Sequence, residues 1–353
     1  MKLKTLLLGS AAAFAVAGGA QAADLSVAEP VDYVRVCDAF GVGYWYIPGT
    51  DTCIKIGGYV EFTTKFHTLQ STYSYHSSNW QFVTEAGLNF TAKSMTEYGE
   101  LVGYVGLVGV YDNNKTLSDS YYYQGNDAYV RLDGAWLSLG PLLVGHTTST
   151  FDYAGGFSDP VFRSDIQTDQ VRLSWAMSGF GIMLGIEDPR DRWGTSLPVD
   201  YNMPDLIAAV TASQANWDGK LSAGFSDLGG GSVYGINAGI TIGLDGIAPG
   251  DKLRLNGAFG TGASYVGYGY NHSNNWSVFA SFQHFWSPTL SSALTGSYGS
   301  TDSGSGSNTW GVGANLVWAP VAGFSAKLEG TYTKASTASQ GTWAGKVALK
   351  RSW

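Results

Sequence analysis

The residues that could do chemistry fall into two groups, one acidic and one basic. The acidic group lies in one polar stretch, residues 151–167, whose sequence is FDYAGGFSDPVFRSDIQ. The basic group is spread over segments in which polar and apolar residues alternate. Charges of opposite sign that face each other across a narrow aqueous passage create a transverse field, which orients water and discriminates ions by sign. The candidates for such a constriction are the acids Asp152, Asp159 and Asp165 and the bases Lys55, Arg131, Arg172 and Arg254.

Motifs for bond-breaking chemistry are absent from the sequence. It has no Gly-x-Ser-x-Gly elbow, phosphate-binding Gly-x-x-x-x-Gly-Lys loop, Cys-x-x-Cys or His-Glu-x-x-His. His146, Ser149 and Asp152 are close in sequence, but residues three apart on a strand do not share one face, which argues against a triad. We therefore predict no catalytic residue, no metal site and no cofactor.

Composition indicates an all-β protein. The 353 residues include 48 Gly, aromatic residues make up 14%, and charged residues make up only 14%. Beyond residue 22, no apolar run approaches the ~18 to 20 residues that a transmembrane helix requires. The formal net charge of −8 argues against a nucleic-acid partner.

The first 22 residues have the features of a secretory signal. Lys2 and Lys4 precede an apolar stretch from Leu6 to Ala17, and residues 20–22, Ala-Gln-Ala, supply a small-x-small cleavage site. We expect residues 1–22 to be removed on export. Cys37 and Cys53 would then meet an oxidising compartment, where we expect them to pair and to pin residues 23–52 at the periplasmic rim.

From residue 53 to residue 353 the sequence alternates between polar and apolar positions. In residues 54–66, for example, Ile56, Val60 and Phe62 fall on one face and Lys55 and Lys65 on the other. Sixteen such segments are separated by alternating long and short connections, which is typical of an antiparallel transmembrane barrel with short periplasmic turns and long extracellular loops. The predicted strands are 53–66, 79–92, 100–111, 127–139, 142–151, 168–178, 181–188, 205–214, 220–227, 232–244, 252–261, 276–286, 290–298, 309–318, 324–334 and 342–353.

The alternation places the four basic candidates in the lumen, because Arg or Lys on the lipid face costs about 2 to 4 kcal/mol near the midplane. The stretch 151–167 is the third long connection, and we expect it to fold inward. Gly155 and Gly156 allow a tight backbone path, and Pro160 stiffens the chain. Aromatic residues near the strand ends, Tyr104 and Trp136 among them, predict two girdles at the lipid headgroups.

Residues 29–57, EPVDYVRVCDAFGVGYWYIPGTDTCIKIG, resemble the opening of the alphaproteobacterial porins of the rhizobial and Brucella type. This resemblance implies a homotrimeric general-diffusion porin of the cell outer membrane, with a third loop that constricts the pore. It also implies contact with outer-membrane lipid and lipopolysaccharide, and permeants that are small hydrophilic solutes. Members commonly end in Phe, whereas this chain ends in Trp353, which leaves an aromatic terminus for recognition by the barrel assembly machinery.

Three functions remain open. The first is a passive water-filled channel for small hydrophilic solutes and ions. The second is a non-conducting barrel whose loops bind a surface partner, as in an adhesin or receptor, although the sequence has no insertion large enough to plug the lumen. The third is a sugar-specific porin, for which Tyr59, Tyr73, Tyr75 and residues 121–123 would be the aromatic candidates.

Overall fold

The computed structural model describes residues 35–67, 80–112, 128–193, 203–227, 231–261, 263–266, 275–301 and 307–353. The predicted signal segment, residues 1–22, lies outside the described residues. No helix in the described ranges is long and apolar enough to cross a membrane.

Strands make up most of the described chain, together with one short helix, α1 (Pro189–Trp193), and 3-10 turns at Asp38–Phe40 and Ala263–Val266. The strands are β1 (Trp45–Tyr46), β2 (Cys53–His67), β3 (Trp80–Thr96), β4 (Gly99–Asp112), β5 (Ala128–Leu139), β6 (Leu142–Thr148), β7 (Gln167–Met177), β8 (Phe180–Glu187), β9 (Asp205–Gln214), β10 (Trp217–Asp227), β11 (Ser232–Gly243), β12 (Lys252–Gly260), β13 (Asn275–Ser287), β14 (Leu290–Thr301), β15 (Ser307–Trp318), β16 (Phe324–Ala335) and β17 (Thr342–Ser352).

Strands β2 to β17 form a closed antiparallel barrel, which confirms the prediction of sixteen strands in the described chain. Each strand pairs with the next, and β17 returns to pair with β2 from Ala344↔His67 to Ser352↔Tyr59. Backbone hydrogen bonds between Gly58 and Trp353 extend this seam. A closed sheet has no free edge, so the backbone groups along every barrel strand find partners.

The two rims of the barrel differ. One rim, which we call the turn end, carries the connections 97–98, 140–141, 178–179, 215–216, 244–251, 288–289 and 319–323. Gly140 and Gly179 have positive φ in these turns, a conformation that favours glycine. The opposite rim, the loop end, carries the other connections, which include residues 149–166 and 188–204.

Apolar side chains face outward and polar side chains face inward. On β2, Ile56, Val60 and Phe62 are exposed on the outer face, as the alternation predicts. On β10, Ser222 and Ser226 are buried on the inner face, between outward-facing positions such as Leu221. An apolar outer face and a polar inner face suit a barrel that meets lipid outside and water inside.

Two rings of exposed aromatic residues circle the outer face, which confirms the predicted girdles. Trp80, Trp276, Trp310 and Trp343 lie at the loop end, and Trp175, Trp286, Trp318 and Trp353 lie at the turn end. Tyr104 and Trp136, which the sequence assigned to the girdles, are different. They stack on each other with ring centroids 5.4 Å apart, on the same strand face as the buried Val102, and so point inward.

Candidate functional site

Residues 149–166, which we call the inner loop, leave the wall after β6 and return to it at β7, and between these points they run along the inside of the barrel. Their contacts with the wall progress from β10 to β17 as residue number rises from 151 to 159. The wall strands therefore fix the path of the inner loop one after another.

The first wall contacts hold the backbone of the inner loop against β10 and β11. The Phe151 carbonyl oxygen accepts hydrogen bonds from Ser222 Oγ at 2.5 Å and Asn237 Nδ2 at 3.2 Å. The Asp152 carbonyl oxygen accepts one from Lys220 Nζ at 2.8 Å. Buried polar wall residues thus find partners in the loop backbone, as buried polar groups must.

Tyr153 is the next anchor. Its hydroxyl lies 2.7 Å from Thr241 Oγ1 and donates to Asp218 Oδ2 at 2.9 Å. Burial raises the pKa of Tyr153 to about 12, so the hydroxyl keeps its proton for donation. Gly239 leaves room for the ring, because a Cβ there would overlap it.

Arg254 holds the middle of the inner loop. Its guanidinium donates to the Gly155 carbonyl oxygen and lies 4.5 Å from the centroid of the Phe157 ring. Phe157 is held at both backbone groups: its N–H donates to Ser281 Oγ at 2.8 Å, and its carbonyl oxygen accepts from Asn315 Nδ2 at 2.7 Å. The Arg254 guanidinium is therefore in direct contact with the inner loop.

The tip of the inner loop ends on β14, β15 and β17. Ser158 Oγ donates to Thr295 Oγ1 at 2.7 Å and lies 3.1 Å from the Gly313 carbonyl oxygen. Asp159 Oδ2 accepts from Lys346 Nζ at 3.0 Å. The fit is tightest at Gly313, where an added Cβ would overlap the Asp159 backbone.

A buried arginine joins the two ends of the inner loop. Arg192, on α1, donates to Ser149 Oγ at 2.7 Å and to Ser164 Oγ at 3.0 Å. It also ion-pairs with Glu187 at 3.1 Å and with Asp205 at 3.5 Å, and its side chain is only 1% exposed. The connection after β8 thereby holds the root of the inner loop closed.

Aromatic rings complete this root. The Arg192 guanidinium lies 4.7 Å from the ring centroid of Tyr265 and 5.3 Å from that of Phe151, and the two rings are 4.8 Å apart. Cation–π contacts are strongest where water is excluded, as it is around these three buried side chains. Three connections of the loop end thus meet at one guanidinium.

The three predicted constriction acids have different surroundings. Asp152 is buried, and its Oδ2 accepts from the Ile166 backbone N–H at 2.6 Å. Burial raises the pKa of this carboxyl. Asp159 and Asp165 are exposed, and each is paired with a base, Asp159 with Lys346 and Asp165 with Arg163 at 2.8 Å. The prediction that Asp152 faces the passage is therefore wrong, because this residue closes the loop root.

The four predicted bases lie at different places on the inner face of the wall. Arg254 lies beneath the loop, and Lys55 lies at the turn end, where its Nζ donates to the Val42 carbonyl oxygen at 3.3 Å. Arg172 is partly buried on the inner face of β7, the strand that follows the loop. Arg131 is exposed on β5 and lies 3.8 Å from Asp133. Arg254 therefore does not stand across the passage from the loop, and the opposition of the other three bases to the loop acids stays a prediction.

Sequence reasoning missed the base that meets the loop tip. Lys346 contacts both Asp159 and Glu329, the latter at 2.7 Å, and Lys327 lies 2.7 Å from the same Glu329. A pair of opposite charges on neighbouring strands could have indicated this base, since Lys346 and Glu329 are direct partners across β17 and β16. No comparable pairing of neighbouring strands indicated that Arg192 would be buried at the loop root.

A further ion pair joins β17 and β2 on the inner face. Lys350 Nζ lies 3.2 Å from Glu61 and 3.9 Å from the ring centroid of Tyr59. The Tyr59 hydroxyl donates to Glu85 at 3.3 Å. Within the described ranges, no group of three or more His, Cys, Asp or Glu residues could hold a metal ion.

Comparison with known proteins assigns the family. The model of the porin subfamily matches residues 24–351. This chain belongs to the porin subfamily. It is 30% identical over 377 residues to porin Omp2b of Brucella suis biovar 1 (strain 1330), an alignment that covers 100% of this chain and 97% of the relative. The porin is therefore an outer-membrane protein, and its turn end faces the periplasm.

Solved outer-membrane channels share the fold of this porin. The outer membrane channel DcaP of Acinetobacter baumannii superposes with a TM-score of 0.69 at 14% identity, covering 87% of this chain and 99% of that one. The trimer form of OmpT of Vibrio cholerae gives a TM-score of 0.57 at 8% identity, covering 86% and 100%. These similarities support the closed barrel.

Gly313→Ala should move the inner loop. An added Cβ overlaps the Asp159 backbone, so the loop tip must leave the wall and enter the passage, and we expect a lower single-channel conductance. Gly296→Ala is the matched control, because nothing lies within 4 Å of a Cβ at Gly296. Equal conductance of both variants would contradict the placement of the tip.

Arg192→Met should loosen the root of the inner loop. It leaves Glu187 and Asp205 buried without their counter-charge, a change that costs about 3 to 5 kcal/mol. We expect a lower thermal unfolding temperature and noisier open-channel current. The control is Arg190→Met on the same helix, whose 69% exposed side chain pairs with Asp188 and is worth about 0 to 1 kcal/mol. If the two variants behaved identically, Arg192 would not be the residue that holds the root of the inner loop closed.

Proposed function

We propose that this porin forms a passive, water-filled channel whose solute path runs between the inner loop and strands β2 to β5. The observation that carries this proposal is the series of wall contacts, which draws the loop against β10 to β15 and β17. The loop thereby narrows the lumen from one side. Small hydrophilic solutes and ions are the permeants that such a path admits.

The charges along the path are largely compensated by neighbours. Asp159 pairs with Lys346, Asp165 with Arg163, and Lys350 with Glu61. Exposed pairs of this kind retain a local field, but their net contribution at a distance is small and is screened by salt. We therefore propose a weakly selective diffusion channel rather than a strongly ion-selective one.

The assembly is also a proposal. OmpT, with which this porin shares its fold, has a trimer form, and we propose a homotrimer for this chain as well. The outer aromatic rings and the apolar face between them suit contact with outer-membrane lipid and lipopolysaccharide. The last strand, with outward Val347, Leu349 and Trp353, is the proposed signal for the barrel assembly machinery.

The test of the channel is single-channel recording from the purified, folded protein in a planar bilayer, with reversal potential measured under a salt gradient. Stepwise openings in groups of three would support a trimer of open pores. A folded barrel that never conducts would contradict the channel and would favour a barrel whose loops bind a partner.

Lys346→Met should increase cation preference, because it leaves the exposed Asp159 without its base beside the path, whereas the buried Glu329 keeps Lys327. We expect a two- to fivefold rise in the cation-to-anion permeability ratio, since a unit charge about 4 Å away is worth about 1 kcal/mol in water before screening. Asp159→Asn should shift the ratio the other way, and the double variant should return close to the wild type.

The control for these shifts is Lys334→Met. This lysine pairs with Trp310 across β15 and β16 and shares its outer face, so its removal changes net charge outside the path. A reversal potential that responds equally to Lys334→Met and Lys346→Met would show that overall charge, and not the loop tip, sets the selectivity.

A further inference from the structure

Residues 37–53 form a closed loop at the periplasmic mouth, which we call the disulfide loop. Cys37 and Cys53 are bonded, with their Cα atoms 6.1 Å apart, and both are fully buried. Strand β1 pairs with the start of β2, from Trp45↔Ile54 to Tyr46↔Cys53. The Cys37 backbone N–H also donates to the Tyr44 carbonyl oxygen at 2.9 Å. The loop is thus tied to the barrel wall at both ends.

The disulfide loop lies over the inner face of the wall. Cys53 pairs with Lys93 across β2 and β3, and Lys55 follows two residues later on the same face of β2. The ring of Tyr44 lies 5.7 Å from the Nζ of Lys55 and 5.7 Å from the Nζ of Lys93. Since Lys55 and Lys93 both point inward, the loop that contacts them overhangs the passage.

The apex of the disulfide loop is Val42, between Gly41 and Gly43. Both glycines have positive φ, 93° and 87°, so the chain turns sharply on either side of Val42. Val42 is 94% exposed, although it is apolar. Its carbonyl oxygen is held by Lys55 Nζ at 3.3 Å, which fixes the apex beside the inner wall.

The two lysines that hold the disulfide loop differ in charge compensation. Lys93 Nζ lies 2.5 Å from Glu100 Oε1. Lys55 makes no ion pair with a carboxylate in the described part of the chain, and its contacts are the Val42 carbonyl oxygen and the Tyr44 ring. The positive charge of Lys55 therefore stands beside the apex without a paired carboxylate in the described part of the chain, although the loop also carries the exposed acids Asp38 and Asp51.

We propose that the disulfide loop is a second constriction of this porin, at the periplasmic mouth, in which Val42 narrows the passage and Lys55 favours anionic solutes. This inference rests on the proposed channel and adds a selectivity element in series with the inner loop. The disulfide joins Cys37, at the start of the loop, to Cys53, which lies on the wall strand β2. It thereby keeps the apex over the mouth.

The first test places charge at the apex. Val42→Glu should shift the reversal potential toward cations and Val42→Arg toward anions, each by a roughly twofold change in permeability ratio, as expected for a unit charge within a Debye length of the ion path. The matched controls are Ile247→Glu and Ile247→Arg. Ile247 is 64% exposed in another periplasmic turn, but it lies beside the outer-face residues Phe282 and Trp286, so its variants should leave the potential unchanged.

The second test releases the apex in channels that are already assembled. A water-soluble phosphine reductant added to the periplasmic side should raise the conductance of the wild type and abolish the shift caused by Val42→Glu. The Cys37→Ser/Cys53→Ser double variant should show the raised conductance without reductant, with its barrel still folded by heat-shift electrophoresis.

The outcomes separate this inference from the proposed function. A conducting wild type whose potential is not shifted by the Val42 variants would overturn the second constriction and leave the path along the inner loop intact. Reduction that changes neither the conductance nor the Val42→Glu shift would overturn the role of the disulfide. A wild-type barrel without current would overturn both the channel and the second constriction.

Discussion

Pairing between β17 and β2 is the constraint on which the rest of the structure depends. In a hydrocarbon layer an unpaired backbone N–H or C=O costs several kcal/mol, so a sheet can span the membrane only when its two edges meet. Once the sheet is closed, the strands need no apolar interior. Apolar side chains then serve the lipid face, and the inner face is free to carry serine, threonine, asparagine and charged residues.

An inner face of this kind creates a second requirement, because its buried polar groups need partners. The inner loop meets that requirement with its own backbone. Its carbonyl oxygens at Phe151, Asp152, Gly155 and Phe157 accept hydrogen bonds from wall side chains. The loop is therefore held in place by wall side chains, namely Asn237, Lys220, Arg254 and Asn315. The position of the loop, more than a set of opposed charges, shapes the passage.

The barrel could be predicted from the sequence, because alternation is a local signal and the strand bounds follow from it; the predicted 205–214 coincides with β9 (Asp205–Gln214). The site could not be predicted to the same depth. Alternation correctly places Arg254 on the inner face, but it does not show that the loop covers it. Asp159 and Lys346 are 187 residues apart, and Asp152 is buried in a loop root that Arg192 of α1 holds at Ser149 and Ser164. Contacts of such range are decided by the closed fold and not by any segment alone.

The attachments of the inner loop also have a mechanical consequence. They fall on seven strands, β10 to β15 and β17, and act as a brace along one half of the circumference. A cylinder braced on one half has unequal stiffness around its axis. Strands β2 to β5, which border the proposed solute path, lack this brace, so the passage has one stiff wall and one more deformable wall.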